Sequence, residues 1–385
     1  MTYTAPDVRV RRMLLGLLGI GLLVAPVSSQ PDRITIPAVA SIVGFSPFFS
    51  DVRVFNTSYV SAVEITATYR CFLGSCPGTP ASDTFVLAPR EARAFDDMVA
   101  TTFHAANSAG GVELDITSGG GATDVAVTSR LYSTEPEPTV GMFIPGKTSS
   151  AAHRYSMLTQ ISNASGNPGF RTNVGAFNGE DTPATVTFAV YWQGFWVGEV
   201  SRVVPAHSGV QINDVFGPNG INHPLLETTE GVVTVKTNGP AVFAYAAVID
   251  NHTTDPIFVT GAPDAPPVLS VAGAYDTHVS LGQNTCGTVT VQDNPTTVVQ
   301  TPGSHTLTLT HAGITYDGTV QDDGTFITQP KSVSAGAAQL TISIQGQFGP
   351  QGFQATVRVD QTAPTICFYI VDWNAVKQAG ANFFP

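Results

Sequence analysis

The chain has 385 residues, 43% of them hydrophobic and 12% charged, with a net charge of −12. That much apolar material with that little charge excludes a disordered chain, and the acidic balance excludes the basic surface a nucleic-acid partner requires. Gly (37) and Pro (27) are plentiful and strong helix formers sparse, which favours strands joined by tight turns, in a length that suits two or three domains.

Residues 1–29 read as an export signal. Arg9, Arg11 and Arg12 precede the apolar run "LLGLLGIGLLVAP", which is too short to span a bilayer comfortably, and "VSS" places small residues before a cut ahead of Gln30. An uncleaved anchor is the alternative, and the arginine pair leaves the general secretory and twin-arginine routes both open. No later segment is apolar enough to span a membrane. The chain from Gln30 carries 14 basic and 28 acidic residues, a net charge of −14. Such acidity keeps an exported protein soluble in the extracellular space, at the cell surface or in the periplasm.

Residues 30–148 read as a first β-sandwich. Short runs alternate with period two: Val52 and Val54; Val63, Ile65, Ala67 and Tyr69; Val112, Leu114 and Ile116; Val125 and Val127. Cys71 and Cys76 lie in the hairpin "YRCFLGSC" and are expected to form a disulfide, as even cysteine counts do in an oxidising compartment. A zinc site built from all four cysteines would want C-x-x-C pairs, which are absent. "DDMVATTF" is expected to begin a capped helical turn at Asp97.

The copy ends on "GMFIPGKTSS", which matches G-x-x-x-x-G-K-[ST] at Gly141, Gly146, Lys147 and Thr148. A phosphate loop must follow a buried parallel strand and open a helix. This segment instead closes a sandwich, and Pro145 lacks an N–H that a phosphate nest would use. Phe143 and Ile144 therefore read as last-strand residues, with no nucleotide implied.

Residues 149–262 repeat the first unit. Phe177-Asn178 aligns with Phe55-Asn56 and Tyr191 with Tyr69 at an offset of 122, while Pro205 and Asp214 match Pro89 and Asp97 at 116 and 117. "NDVFGPNG" is expected to repeat the helical turn. About seven strands per copy suit an immunoglobulin-like (Ig-like) antiparallel sandwich. In place of "YRCFLGSC" stands "VYWQGFWVG", with Tyr191, Trp192, Phe195 and Trp196 around a Gln193-Gly194 tip. Side chains at a tip do not all face a core. Some of this aromatic area is expected to be exposed for a sugar ring or a protein, unless it caps the sandwich or packs on a neighbouring domain.

A Pro-rich linker, 263–271, leads to Thr/Gly-rich alternation over 272–385, read as a meander of six to eight strands closed as a small barrel or sandwich. "QDDG" is a hairpin turn with Gly324 at positive φ. A second disulfide, Cys286–Cys367, is expected to tie the first strand to the last.

Catalytic patterns are thin. G-x-S-x-G and H-E-x-x-H are absent, the eight histidines share no metal spacing, and Asp96-Asp97 and Asp322-Asp323 coincide with turns. No cofactor and no metal are implied.

"IPAVASIVGFSPFFSDVRVFN", "FRTNVGAFN", "VQINDVFG" and "VFAYAAVIDNHTTDPIFV" occur in order over residues 34–262. In these motifs the chain resembles uncharacterised exported bacterial proteins with tandem Ig-like β-sandwich repeats. The resemblance implies an extracytoplasmic all-β protein and no catalytic residues. The expectation is an exported, non-enzymatic chain of two tandem Ig-like sandwiches and a C-terminal β domain, acting in binding, adhesion or scaffolding with a protein or glycan at a cell surface. The alternatives are a carbohydrate-binding array stacking sugars on Trp192, Phe195 and Trp196, and a hydrolase assembled from loops.

Overall fold

The computed structural model describes residues 32–43, 46–135, 139–166 and 169–385. The export signal read over 1–29 lies outside them. The described chain is all-β, built from antiparallel sheets.

Nine strands form the first sandwich: β1 (Asp32–Val43), β2 (Pro47–Asn56), β3 (Val63–Gly74), β4 (Ala81–Leu87), β5 (Ala92–Phe95), β6 (Ser108–Ser118), β7 (Val125–Ser133), β8 (Val140–Pro145) and β9 (Lys147–Thr148). One layer runs β4-β3-β6-β1-β9 and the other β5-β2-β7-β8. β1 joins the two by pairing Ile42 with Phe48 of β2. The period-two residues from Val52 to Val127 are all buried between the layers. Each Val, Ile or Leu so buried contributes about 1.5–3 kcal/mol. The segment from Gly141 to Thr148 is two strands, β8 and β9, joined at Gly146, and only a single 3-10 turn (Ser149–Ala151) follows it in place of an α-helix. Ile144 is buried, Phe143 is exposed, and a side chain at Gly146 would collide with Val127 and Ile34.

The second sandwich comprises β10 (Tyr155–Asn163), β11 (Phe170–Asn178), β12 (Ala184–Trp192), β13 (Phe195–Val204), β14 (Ser208–Ile212), β15 (Thr228–Asn238), β16 (Phe243–Asp250), β17 (Pro256–Thr260) and β18 (Ala262–Pro263). Its layers run β13-β12-β15-β10-β18 and β14-β11-β16-β17. Strand for strand this is the order of the first sandwich.

The aligned Phe-Asn pairs have a physical reason. Asn56 is fully buried, and its Nδ2 donates to the carbonyls of Ser61, Leu87 and Ala88 at 2.8, 3.2 and 3.0 Å. Asn178 does the same to Thr182, Val204 and Pro205 at 2.8, 3.4 and 3.1 Å. Each carboxamide oxygen accepts from the N–H two residues on, Ser58 or Glu180. One side chain thus satisfies backbone groups that two turns would otherwise leave unpaired.

The expected helical caps are not made. A short helix, α1 (Met98–Thr101), does follow Asp97, but Asp97 sits in the left-handed region (φ 42°) and makes no side-chain cap. Its Oδ2 accepts from Ser41 instead, and its N–H donates to Asp51. In the second sandwich Asp214 (φ 58°) is followed by turns with no helix, and its N–H donates to Asn173. The tertiary partner on β2 or β11 takes the place of the cap.

The C-terminal domain contains β19 (Gly273–Asn284), β20 (Thr296–Val299), β21 (Thr306–His311), β22 (Ile314–Val320), β23 (Thr325–Thr328), β24 (Lys331–Ala335), β25 (Ala338–Gly349), β26 (Gly352–Ala363) and β27 (Cys367–Lys377). β23 pairs with β25 and β19 with β27, so eight strands close into a barrel, and β24 hangs on β25 outside the ring. Closure removes the exposed edges that an open sheet would present. The Gln321–Gly324 turn has Gly324 at φ 86°. Leu269 and Val271, assigned to the 263–271 linker, are buried in the barrel core, so that segment is only in part a connector. Both expected disulfides are present, Cys71–Cys76 at the β3 hairpin and Cys286–Cys367 between the end of β19 and the start of β27.

Candidate functional site

The aromatic hairpin forms because Gln193 (φ 50°) and Gly194 (φ 82°) supply the two positive-φ positions of a tight two-residue turn. Register then sorts the rings. Tyr191 pairs with Trp196 and Trp192 with Phe195, and directly paired residues share a face while neighbours along a strand do not. Tyr191 and Trp196 therefore lie on one face and Trp192 and Phe195 on the other. The expected stacking surface of Trp192, Phe195 and Trp196 is split between the two.

The Tyr191–Trp196 face meets the barrel. Tyr191 stacks on Phe383 with centroids 6.0 Å apart. Gln351 donates to the Trp196 carbonyl at 3.3 Å, and the Lys236 ammonium reaches the Pro385 backbone oxygen at 2.5 Å. Burial, followed by the charge of Glu199, pushes the Tyr191 phenol up. The Trp196 indole N–H is buried and has no partner among the described residues. A cleft of about 480 Å³ opens beside it, lined by Glu199 and His223 from the sandwich and Pro350 and Gln351 from the barrel. Of the four aromatics only Phe195 is truly exposed, at 44%.

The matching hairpin of the first sandwich does a parallel job. Phe72, beside Cys71 and pinned by the Cys71–Cys76 bridge, packs so closely on β14 that a side chain at Gly209 would run into its ring. Phe177 of β11 packs in the same way over Gly111 of β6.

Between these contacts lies a feature that sequence reading missed. Glu113, on the outward face of β6, is 0% exposed because the second sandwich covers it. Arg70 Nε donates to its Oε2 at 2.7 Å, and Arg33 and His207 Nδ1 bond its Oε1 at 3.1 and 2.9 Å. Arg33 also forks onto Asp115 at 2.7 and 3.2 Å, and His207 Nε2 meets Asp181 at 2.7 Å. Burial lowers the pKa of Arg33, but the Asp115 hydrogen bond and the charges of Glu113 and Asp115 more than offset it, so its pKa is raised. The signal was a charged run, Glu113 and Asp115, alternating with core residues on a strand flanked by Arg33 and Arg70. It reads as a solvated face unless a second domain is known to lie on it.

The remaining candidates are held in structural bonds. Asp96 pairs with Arg53 at 2.7 Å, and Asp323 accepts from the Thr325 N–H. His311 is buried against Trp373, bonds Thr296 at 2.9 Å, and is held below the usual imidazole range by burial. Among the described residues no cluster of three His, Cys, Asp or Glu is placed to hold a metal ion, and no helix is long and apolar enough to cross a membrane. The chain matches no family model, no curated protein and no solved structure.

Proposed function

We propose that the protein is an exported, non-enzymatic scaffold, two tandem Ig-like sandwiches carrying a barrel, that acts in binding or adhesion outside the cytoplasm. The observation that carries this reading is the succession of joints. In each sandwich the hairpin at the same topological position docks on the following unit, Phe72 on Gly209 and Tyr191 on Phe383. A chain built to hold its units in fixed succession is suited to presenting a surface at a distance from its origin. The common strand order of the two sandwiches supports the tandem reading, and the two disulfides support an oxidising compartment.

In this reading Tyr191 and Trp196 serve as a joint, with Trp192 and Phe195 left on the free face of the hairpin. The test is fractionation of the producing cells with thiol alkylation, followed by adding the purified chain from Gln30 back to washed cells. Envelope or extracellular location, four protected cysteines and retention on the cells are expected. A cytoplasmic chain with free thiols rejects export, and a chain that washes off rejects adhesion.

A further inference from the structure

A cleft of about 850 Å³ lies on the barrel and opens to solvent. Its lining follows from register. His278, Asn374, Gln354, Gln347 and Thr325 are successive cross-strand partners over β19, β27, β26, β25 and β23. Ser280, Asp372, Thr356, Gln345, Ile327 and Thr319 form a second row, which continues onto β22. Strands lie about 4.8 Å apart, so the rows run roughly 19 and 24 Å over the sheet and stand about 7 Å from each other. Both rows line the cleft.

The chemistry of the rows is narrow. Apart from Ile327, between Gln345 and Thr319, every member carries a hydroxyl, an amide, an imidazole or a carboxylate. Hydroxyls and amides both donate and accept, as the hydroxyls of a sugar do. No Lys or Arg lines the cleft, and the chain is acidic, so an anionic ligand or a nucleic acid finds no counter-charge. Trp373 and Phe326 lie at its base but are 5% and 1% exposed, so the aromatic anchors of a protein interface are missing. Part of each row is fixed in advance: Thr325 Oγ1 donates to Gln347 at 2.8 Å, Thr356 Oγ1 to Asp372 at 3.2 Å, and His278 is held by Asp293 at 2.8 Å. The side chains of Gln345, Gln354 and Asn374 make no hydrogen bond within the described chain and face the opening.

We infer that this face binds a neutral polysaccharide, laid along the rows so that successive sugar rings meet successive strands. The inference deepens the adhesion reading and rests on it for biological setting, but its test does not. The chain from Gln30 is run in native gels cast with a soluble β-glucan, a galactomannan or polyanionic alginate. Retardation by a neutral polysaccharide is expected. In the Gln354→Ala/Asn374→Ala variant the apparent Kd should rise by at least about tenfold. The Trp192→Ala/Phe195→Ala variant should migrate like the parent. Both substitutions in the first variant are on exposed side chains, and unchanged melting with an intact Cys286–Cys367 bridge certifies its fold. Retardation by alginate alone, by no polysaccharide, or equally in both variants overturns the inference, as does self-association through this face in sedimentation velocity. A cytoplasmic location would defeat the export reading and leave the gel result standing.

Discussion

Replacing Glu113 by Ala removes the acceptor shared by three donors from two domains. Arg33 keeps its fork onto Asp115 and His207 keeps Asp181, but Arg70 is left with no acidic partner. Breaking a buried pair by removing one member costs about 3–5 kcal/mol. Arg70 retains 21% side-chain exposure and reaches water by a small movement, which places the loss at the low end, about 3 kcal/mol, or roughly two orders of magnitude in an equilibrium constant. Glu113→Gln keeps an acceptor for one cation and turns an NH₂ toward the other, so it should cost less than Glu113→Ala. The assay is urea unfolding followed by circular dichroism, with limited proteolysis across residues 149–154. Because the cluster spans both sandwiches, the parent should lose them in one transition and Glu113→Ala in two, with earlier cleavage between them. A cycle with His207→Ala should show coupling beyond about 0.5 kcal/mol. A loss under about 1 kcal/mol, a single persisting transition, or strict additivity with His207→Ala would refute the account of Glu113 as the electrostatic centre of the joint.

Three further outcomes follow from the same reasoning. Gly209→Ala should displace Phe72 and loosen the joint by about 1–3 kcal/mol, read as faster proteolysis between the sandwiches with the barrel transition unmoved. Cys286→Ser opens a loop of 81 residues and should destabilise the barrel by about 4 kcal/mol, against about 2 kcal/mol for the five-residue Cys71–Cys76 loop, measured by calorimetry of oxidised and variant chains. Burial depresses the His311 pKa below its unfolded value of 6.5, so the unfolded chain takes up protons first as pH falls. Barrel stability contributed by neutral His311 is therefore complete above that value and lost as pH drops below it, and the melting temperature should fall from pH 7.5 to pH 5 more steeply in the parent than in His311→Gln.

The sequence made the cores legible because a core obeys a one-dimensional rule. Val63, Ile65, Ala67 and Tyr69 alternate because one face of β3 is buried, and no knowledge of neighbours is needed to see it. The disulfides were legible for a similar reason, since four cysteines have only three ways to pair and Cys71 and Cys76 share one hairpin. Local signals were less faithful where tertiary bonds replaced them. Asp97 before Met98 has the look of a helix cap, yet its carboxylate is drawn to Ser41 and its N–H to Asp51. The joints were least legible. Glu113 and Phe72 occupy the outward face of a sheet, where polar and aromatic residues alike read as surface, and only the second sandwich lying on them buries Glu113 and half-buries Phe72.

The same limit explains why the aromatic hairpin is conspicuous in the sequence and the barrel face is not. Four rings in six residues are conspicuous along the chain, but pairing across the hairpin divides them, and the half that meets Phe383 is spent on a contact within the molecule. The amide and hydroxyl rows are the converse. Asn374, Gln354 and Gln347 stand on three different strands, each an unremarked polar residue in a Thr/Gly-rich segment, and become a row only when register sets them side by side. A motif read along the chain therefore overstates clustered residues and misses ladders across strands. In an all-β protein, whose surfaces are built perpendicular to the chain, the pairing register is where a binding face has to be sought.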